Sequence, residues 1–592
     1  MAATELDLLA EGAAAVQPRP GSVRRTAAGR MLRWGLLPAF WVVVAFVILA
    51  PCACFLLLAV SPRLFDQGTQ WFTLSYLRGA FTGETAVALT NSIWVSCAAA
   101  ALGVAIGGPI AWAAARTRLP GRRAVAGSMW LILLMPSWIP ALGWVRLFQA
   151  HGVLDRIGIG SSFETNLVLG PFGVVLLLGL RSVPFAFLAV SAALAGLGQE
   201  FEDAARVHGA TRLQTVKVLT PILAPAIWSA LAIGFAESVS DFGIAATLAY
   251  SSHFSLATYQ LYAAIDNFPP SFPAAAAMGW LLVGSVALPL VLQARALRGR
   301  SYAVLSGRTR RALRRDLSRR GKVLCGGGVA AFFAVALLVP LFGVVSASLL
   351  GDYGSSFSVS LANYRAVFRS VDLLGPLERS LSYGAITATV TVVAGFVAAR
   401  LLTRVKSRAV RLLDFLLLAA VALPSVVFAA GYILAYNLPI LSRLGIDLYQ
   451  TTTLLIVGYA ASSLPTNARV LVGAVSQLQA SLHEAARTHG AGPLLAWARG
   501  VLPLLSRPLV FAWLLTFTGV FLELPISQLL YAPSAPPISV SIENDNTYHF
   551  GVGMAQATIA LVCALGVVAA VLGGYRLLAP RGWRRVGEAV DA

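Results

Sequence analysis

The chain has 592 residues, of which 58% are apolar and only 12% charged, and its mean hydropathy is +0.76. Such values exclude a soluble multidomain protein and place the polypeptide in a bilayer. A formal charge of +20 would suit a nucleic-acid partner. The Lys and Arg residues, however, crowd into short intervals between apolar runs, as a positive-inside bias requires, so the charge reads as topology and no nucleic acid is expected.

In chain order, residues 1–35 are polar and aperiodic, with Arg24, Arg25, Arg30 and Arg33 just before the first apolar run, and read as a cytoplasmic tail. The run 36–61 is too long for a signal-peptide core and is expected to stay as a spanning helix. Further runs cover 87–115, 125–150, 166–195, 223–250, 271–297, 323–350, 378–402, 410–437, 451–477, 508–531 and 553–579. Each is long enough to cross a hydrocarbon core, which takes roughly 20 helical residues. The expected fold is therefore all-α, a polytopic membrane protein of about twelve transmembrane helices. The interval 116–123 carries four arginines, whereas 62–86, 151–165 and 251–270 are poor in basic residues, so both termini and the middle linker fall on the cytoplasmic side. Residues 295–322 hold eleven Lys or Arg against one acid, Asp316, and read as a solvated tether beside anionic lipid headgroups. Five cysteines, Cys52, Cys54, Cys97, Cys325 and Cys563, lie inside apolar runs without metal-site or disulfide spacing and read as small core residues.

The chain repeats itself. Leu74, Arg78 and Phe81 match Leu361, Arg365 and Phe368 at an offset of 287 (361 − 74), and Pro136-Ser137 with Gly143 match Pro424-Ser425 with Gly431 at 288 (424 − 136). Pro184 matches Pro465 at 281 (465 − 184). Six spans per half put the start of both halves on the same side, so the repeats are parallel, related by an axis along the membrane normal. Within a polar interval of each half stands the same short element: Asp203-Ala204-Ala205-Arg206-Val207-His208-Gly209-Ala210 and Glu484-Ala485-Ala486-Arg487-Thr488-His489-Gly490-Ala491. A small-residue helix, a glycine break and a second short helix ending before Pro221 or Pro503 would make a knob that fits a groove on another protein. His208 and His489 receive no catalytic role.

The paired (Glu/Asp)-Ala-Ala-x-x-x-Gly pattern, with a proline twelve or thirteen residues after the glycine, resembles the EAA loop of binding-protein-dependent ABC importer permeases. The chain looks like their fused subclass, with both permease halves on one polypeptide. The division that follows is a tail at 1–35, a first permease half at 36–297 with its EAA-like loop at 198–222, and a basic linker at 298–322. A second half occupies 323–579 with its loop at 479–503, and 580–592 form a cytoplasmic tail. The resemblance implies a multi-pass protein of the bacterial inner membrane. It also implies that Asp203, Ala204, Ala205, Gly209, Glu484, Ala485, Ala486 and Gly490 dock on ABC ATPase subunits, two copies expected. A periplasmic or extracytoplasmic solute-binding protein would deliver cargo, and ATP-Mg would be held by the partner ATPase. No cofactor or metal is expected in this chain.

Acids inside spans are costly and are default functional candidates. Glu237, Asp241 and Glu523 qualify; the last two are related by an offset of 282 (523 − 241), and flanking Gly243 and Pro525 would allow an unwound turn facing a cavity. They are expected to line a cationic pathway, with helix-to-helix hydrogen bonding as the competing role. Asp266, Glu543 and Asp545 fall in outward intervals, where a solvated loop is the expectation and reception of a binding protein the alternative. Gly321-Lys322 is followed by Val323 and lacks the upstream glycine of a phosphate-binding loop, and no nucleophile pairs with a base, so the chain is expected to be a transport subunit without catalytic residues. The rival reading is an ion-coupled secondary transporter with two parallel six-helix repeats, which would need a proton-relay network and would leave the repeated knob unexplained. Ser240-Asp241-Phe242-Gly243 and Glu523-Leu524-Pro525 are similar to segments of iron(III) importer permeases, making iron(III) the expected cargo; related fused permeases serve thiamine or phosphonates.

Overall fold

A computed structural model describes residues 35–297, 314, 316–350, 359–421, 423–478, 488, 492, 495 and 500–578. Both terminal tails, most of the basic linker and most of the second EAA-like loop, including Glu484, Ala485, Ala486, His489 and Gly490, lie outside the described residues. Among the described residues there are helices and turns but no β-strand. Numbering the principal helices, the first half runs α1 (Leu37–Leu58), α2 (Gly83–Arg116), α3 (Arg122–Leu134), α4 (Trp138–Phe148), α5 (Pro171–Gly196), α6 (Glu200–Val207), α7 (Arg212–Ser240), α8 (Ala257–Asp266) and α9 (Phe272–Leu297). The second half runs α10 (Arg319–Ser348), α11 (Val371–Arg404), α12 (Arg408–Val421), α13 (Ser425–Tyr436), α14 (Thr452–Ser476), α15 (Leu502–Phe521), α16 (Pro525–Leu530), α17 (Ile538–Tyr548) and α18 (Phe550–Leu578).

Nine described helices are both long and apolar enough to cross a bilayer, and up to eleven if each of two bent pairs counts as one span. The run expected at 451–477 is the 25-residue helix α14, long enough to span but made too polar for that test by residues such as Asn467 and Arg469. Two expected spans are bent: α3 and α4 meet at 90° around Pro136, and α12 and α13 at 110° around Pro424. The cause is shared, since proline disfavours helix in the residue before it and supplies no amide hydrogen. The run 223–250 is also divided, because α7 begins earlier, at Arg212, and stops at Ser240.

Each half's first helix packs on the other half: α1 lies against α13, and α10 against α4. Both first helices contain a π-helical turn just before a proline, Ala45–Leu49 before Pro51 and Ala334–Leu338 before Pro340. Pro51 cannot donate to the Val47 carbonyl; the Tyr432 hydroxyl of α13 donates to it instead, at 2.7 Å. Glycine lets these backbones meet. A Cβ at Gly143 would overlap the Pro340 carbonyl, and one at Gly431 would lie 2.6 Å from the Pro51 carbonyl oxygen. In lipid, where burial between helices gives little hydrophobic gain, such close backbone approach supplies much of the packing energy.

Candidate functional site: the cavity between the halves

A cavity of about 330 Å³ opens where the four helix breaks converge. Its walls include Ser137, Asp241 and Glu237 from the first half and Ser425, Thr466 and Glu523 from the second. All three acids singled out in the sequence therefore reach one space. The Trp138 indole N–H donates across the junction to the Leu522 carbonyl at 3.0 Å, joining a break in one half to a break in the other.

Asp241 and Glu523 occupy the same local structure. Helix α7 ends before Asp241, whose carboxylate Oδ1 accepts from the Ile244 amide at 2.7 Å, while its carbonyl accepts from Thr258 Oγ1 of α8 at 2.9 Å. Glu523 follows α15; both its oxygens accept from the Ile526 amide at 3.0 Å, Oε2 also accepts from the Ser527 amide, and its carbonyl accepts from Ser539 Oγ of α17 at 2.5 Å. The Ser527 hydroxyl also donates to the Glu523 carbonyl. A break in a membrane helix exposes amides and carbonyls that lipid cannot satisfy. These carboxylates cap the resuming turn, and hydroxyls from the next helix take the freed carbonyls.

The wall is not symmetric in charge. Arg181 of α5 lies with Nε 3.6 Å from Asp241 Oδ2 and donates through Nη1 to the Met135 carbonyl at 2.9 Å, beside the α3–α4 break. Arg181 was not singled out in the sequence, although a charge beside Pro184 within an apolar run was a signal that could have found it. Glu237, one turn before Asp241 on α7, is open to the cavity. Among the described residues no three His, Cys, Asp or Glu side chains gather as a metal centre.

Away from the cavity, the first EAA-like element forms α6, with Asp203 in its first turn, where the helix dipole favours a carboxylate. Gly209 follows in the left-handed region at φ 77°. The expectation of a short helix ending before Pro221 needs correcting: a capping box of Thr211 and Gln214 starts α7, which continues through Pro221 and Pro225 into its span. Each proline forfeits a single backbone bond there, which a long helix tolerates. Buried Arg116 at the end of α2 ties α6 down, with Nε 3.1 Å from Glu202 Oε1 and Nη2 donating to the Leu194 and Leu197 carbonyls of α5 and its end.

On the opposite side Asp266 is exposed, and Glu543 and Asp545 are half-buried on α17, so the solvated-loop expectation fits only Asp266. Glu543 has one shielded oxygen without a hydrogen-bond partner. Burial pushes its carboxyl up to about 7, against the opposing pull of the Arg146 guanidinium. Arg146 itself, on α4, donates to the Asn546 side chain and carbonyl of α17 at 2.6 Å, another tie between the halves.

Comparison with known proteins follows the same division. The family described as binding-protein-dependent transport system inner membrane component matches residues 103–300 and again 391–583. The chain is similar to the ferric transport system permease protein FbpB of Actinobacillus pleuropneumoniae, 24% identical over 547 residues that cover 90% of this chain and 77% of the relative. It is similar to the Fe(3+)-transport system permease protein FbpB 2 of Haemophilus influenzae, 22% identical over 512 residues, 85% of this chain and 92% of the relative. A sulfate transport system permease protein, CysT of Salmonella typhimurium, is 26% identical over 242 residues, 40% of this chain but 85% of its own length.

Proposed function

The chain belongs to the family of binding-protein-dependent transport system inner membrane components, matched once in each half, and from that membership we propose that its halves jointly enclose an iron(III) pathway driven by a separate ATPase. It is a multi-pass ABC importer permease, and a transport subunit rather than an enzyme. The observation that carries the cargo assignment is the cavity shared by the halves: three carboxyl groups, Glu237, Asp241 and Glu523, face it against a single guanidinium, Arg181. Such a wall attracts a cation and repels an oxyanion such as sulfate, and relatives matched over 77% and 92% of their own length carry ferric transport names.

Hydrolysis of ATP-Mg takes place on the partner, probed by this chain through α6 and the related element at 484–491, with Asp203, Ala204, Ala205, Gly209, Glu484, Ala485, Ala486 and Gly490 as docking residues. Two ATPase copies, one per element, draw together and shift both knobs. The motion of α6 passes through the Arg116–Glu202 pair into α2 and α5, which pack on each other and on α7, and so reaches the cavity wall. With both termini and the 298–322 linker on the cytoplasmic side, a solute-binding protein delivers cargo to the opposite mouth. The test is purification in mild detergent, identification of the attached ATPase and binding protein, and reconstitution into vesicles with radioactive ferric iron on the binding-protein side. Nucleotide-dependent accumulation is expected; accumulation without nucleotide, or the absence of any ATPase companion, overturns the reading.

A further inference from the structure

We propose that Glu237 is the carboxylate that contacts the cargo, acting from the first half alone, while Asp241 and Glu523 hold the broken helices in shape. The inference deepens the ferric-pathway reading and rests on it. Three carboxylates line the cavity, but two are spent. The carboxylate of Asp241 is engaged by the Ile244 amide and flanked by Arg181, and that of Glu523 by the Ile526 and Ser527 amides. Glu237 stands on the same helix face, one turn earlier, open to the cavity and without a hydrogen bond or ion pair among the described residues.

The repeat shows what the second half does at the matching places. The offset of 282 carries Glu237 to Gly519 (237 + 282), and the offset of 281 carries Arg181 to Ser462 (181 + 281); both also line the cavity. The capping acid is thus kept in both halves, as a structural need common to both breaks requires, while the open carboxylate occurs once. A single carboxylate in a space of about 330 Å³ cannot strip and hold a multivalent cation. It can make one weak contact to the cation or its hydration shell, which suits a pathway where cargo must enter and also leave.

The repeat also supplies the test. A side chain at Gly519 has room, since nothing lies within 4 Å of an added Cβ. In the complete reconstituted complex, with radioactive ferric iron delivered by the binding protein, Glu237→Gln and Glu237→Gly should each lower uptake about tenfold, the equivalent of one lost contact of about 1.4 kcal/mol. Assembly with the ATPase, read by gel filtration, checks that the variants fold. Adding Gly519→Glu to Glu237→Gly should restore uptake, because the charge returns to the facing wall. Unchanged uptake in Glu237→Gln, or no restoration by the second substitution, overturns the assignment. If the wild-type complex takes up no ferric iron, the ferric reading falls, and Glu237 is judged on access. With the five native cysteines replaced, Glu237→Cys must then react with a water-soluble, membrane-impermeant thiol reagent in the assembled complex; no reaction overturns it.

Discussion

Arg116 Nε lies 3.1 Å from Glu202 Oε1, both side chains nearly closed to solvent at 6% and 7% exposure, so the last residue of the 34-residue helix α2 is fastened to α6 by a buried ion pair. In the second half Arg404 donates to the Leu478 carbonyl at 3.0 Å, as Arg116 does to Leu197. The offset of 281 places His483 where the first half has Glu202 (202 + 281). His483 lies outside the described residues, and the sequence difference is that an acid stands at this place in the first half only.

Removing one member of a buried pair leaves the other charge uncompensated, at a cost of about 3–5 kcal/mol. Glu202→Ala should therefore loosen α6 and lower the cargo moved per ATP several-fold. Arg206 also pairs with Glu202, at 3.5 Å, but its side chain is 40% exposed, so that contact is screened by solvent and Arg206→Ala should cost much less than Glu202→Ala. Parallel uptake and hydrolysis measurements on both variants check this; equal stoichiometry in the two would refute the transmission role.

Gly209 adopts φ 77° with open space around it, so within this chain a substitution there acts through the backbone. Valine in the left-handed region costs roughly 1–2 kcal/mol, whereas asparagine visits it more readily. Gly209→Val should weaken stimulation of the partner ATPase, and Gly209→Asn should largely keep it.

Where α4 crosses α10, Gly143 and Gly343 leave no room for a methyl group, each being pressed on the other chain segment's backbone. Gly143→Ala should lower the thermal midpoint, in line with overpacking penalties of about 1–3 kcal/mol. Gly284→Ala on α9, where nothing lies within 4 Å, should leave it unchanged. Fluorescence-detected melting of the detergent-solubilised protein distinguishes the two.

Glu543 is an acid whose carboxyl is raised from 4.5 to about 7 in the folded protein by burial. The folded state therefore binds more protons than the unfolded state between those values, and stability falls as pH rises through that window. Glu543→Gln removes the cost of burying the charge, so it should raise the thermal midpoint at pH 8 relative to wild type and have little effect near pH 4.5. An equal shift at both pH values would contradict the assignment.

Much of the site was legible in the sequence because it depends on local chemistry repeated in register. Asp241 and Glu523 were found as charges within apolar runs, and both do sit at helix breaks beside Gly243 and Pro525. Their engagement as caps was not legible, because it depends on the hydroxyls of Thr258 and Ser539, which a fold must bring near. Arg181 escaped notice for a related reason: its position beside Asp241 requires α5 and α7 to pack, and sequence separation hides that.

Composition and periodicity alone determined an all-helical membrane protein in two like halves, since lipid demands long apolar helices and a duplicated chain keeps its spacing. Only the tertiary structure decided that each half's first helix lies on the other half, that four helix breaks share one cavity, and which of its three acids is left open. Those outcomes depend on backbone approach at Gly143 and Gly431 and on the competition among amides, hydroxyls and a guanidinium for each carboxylate, which is settled by distances in space and leaves no periodic trace along the chain.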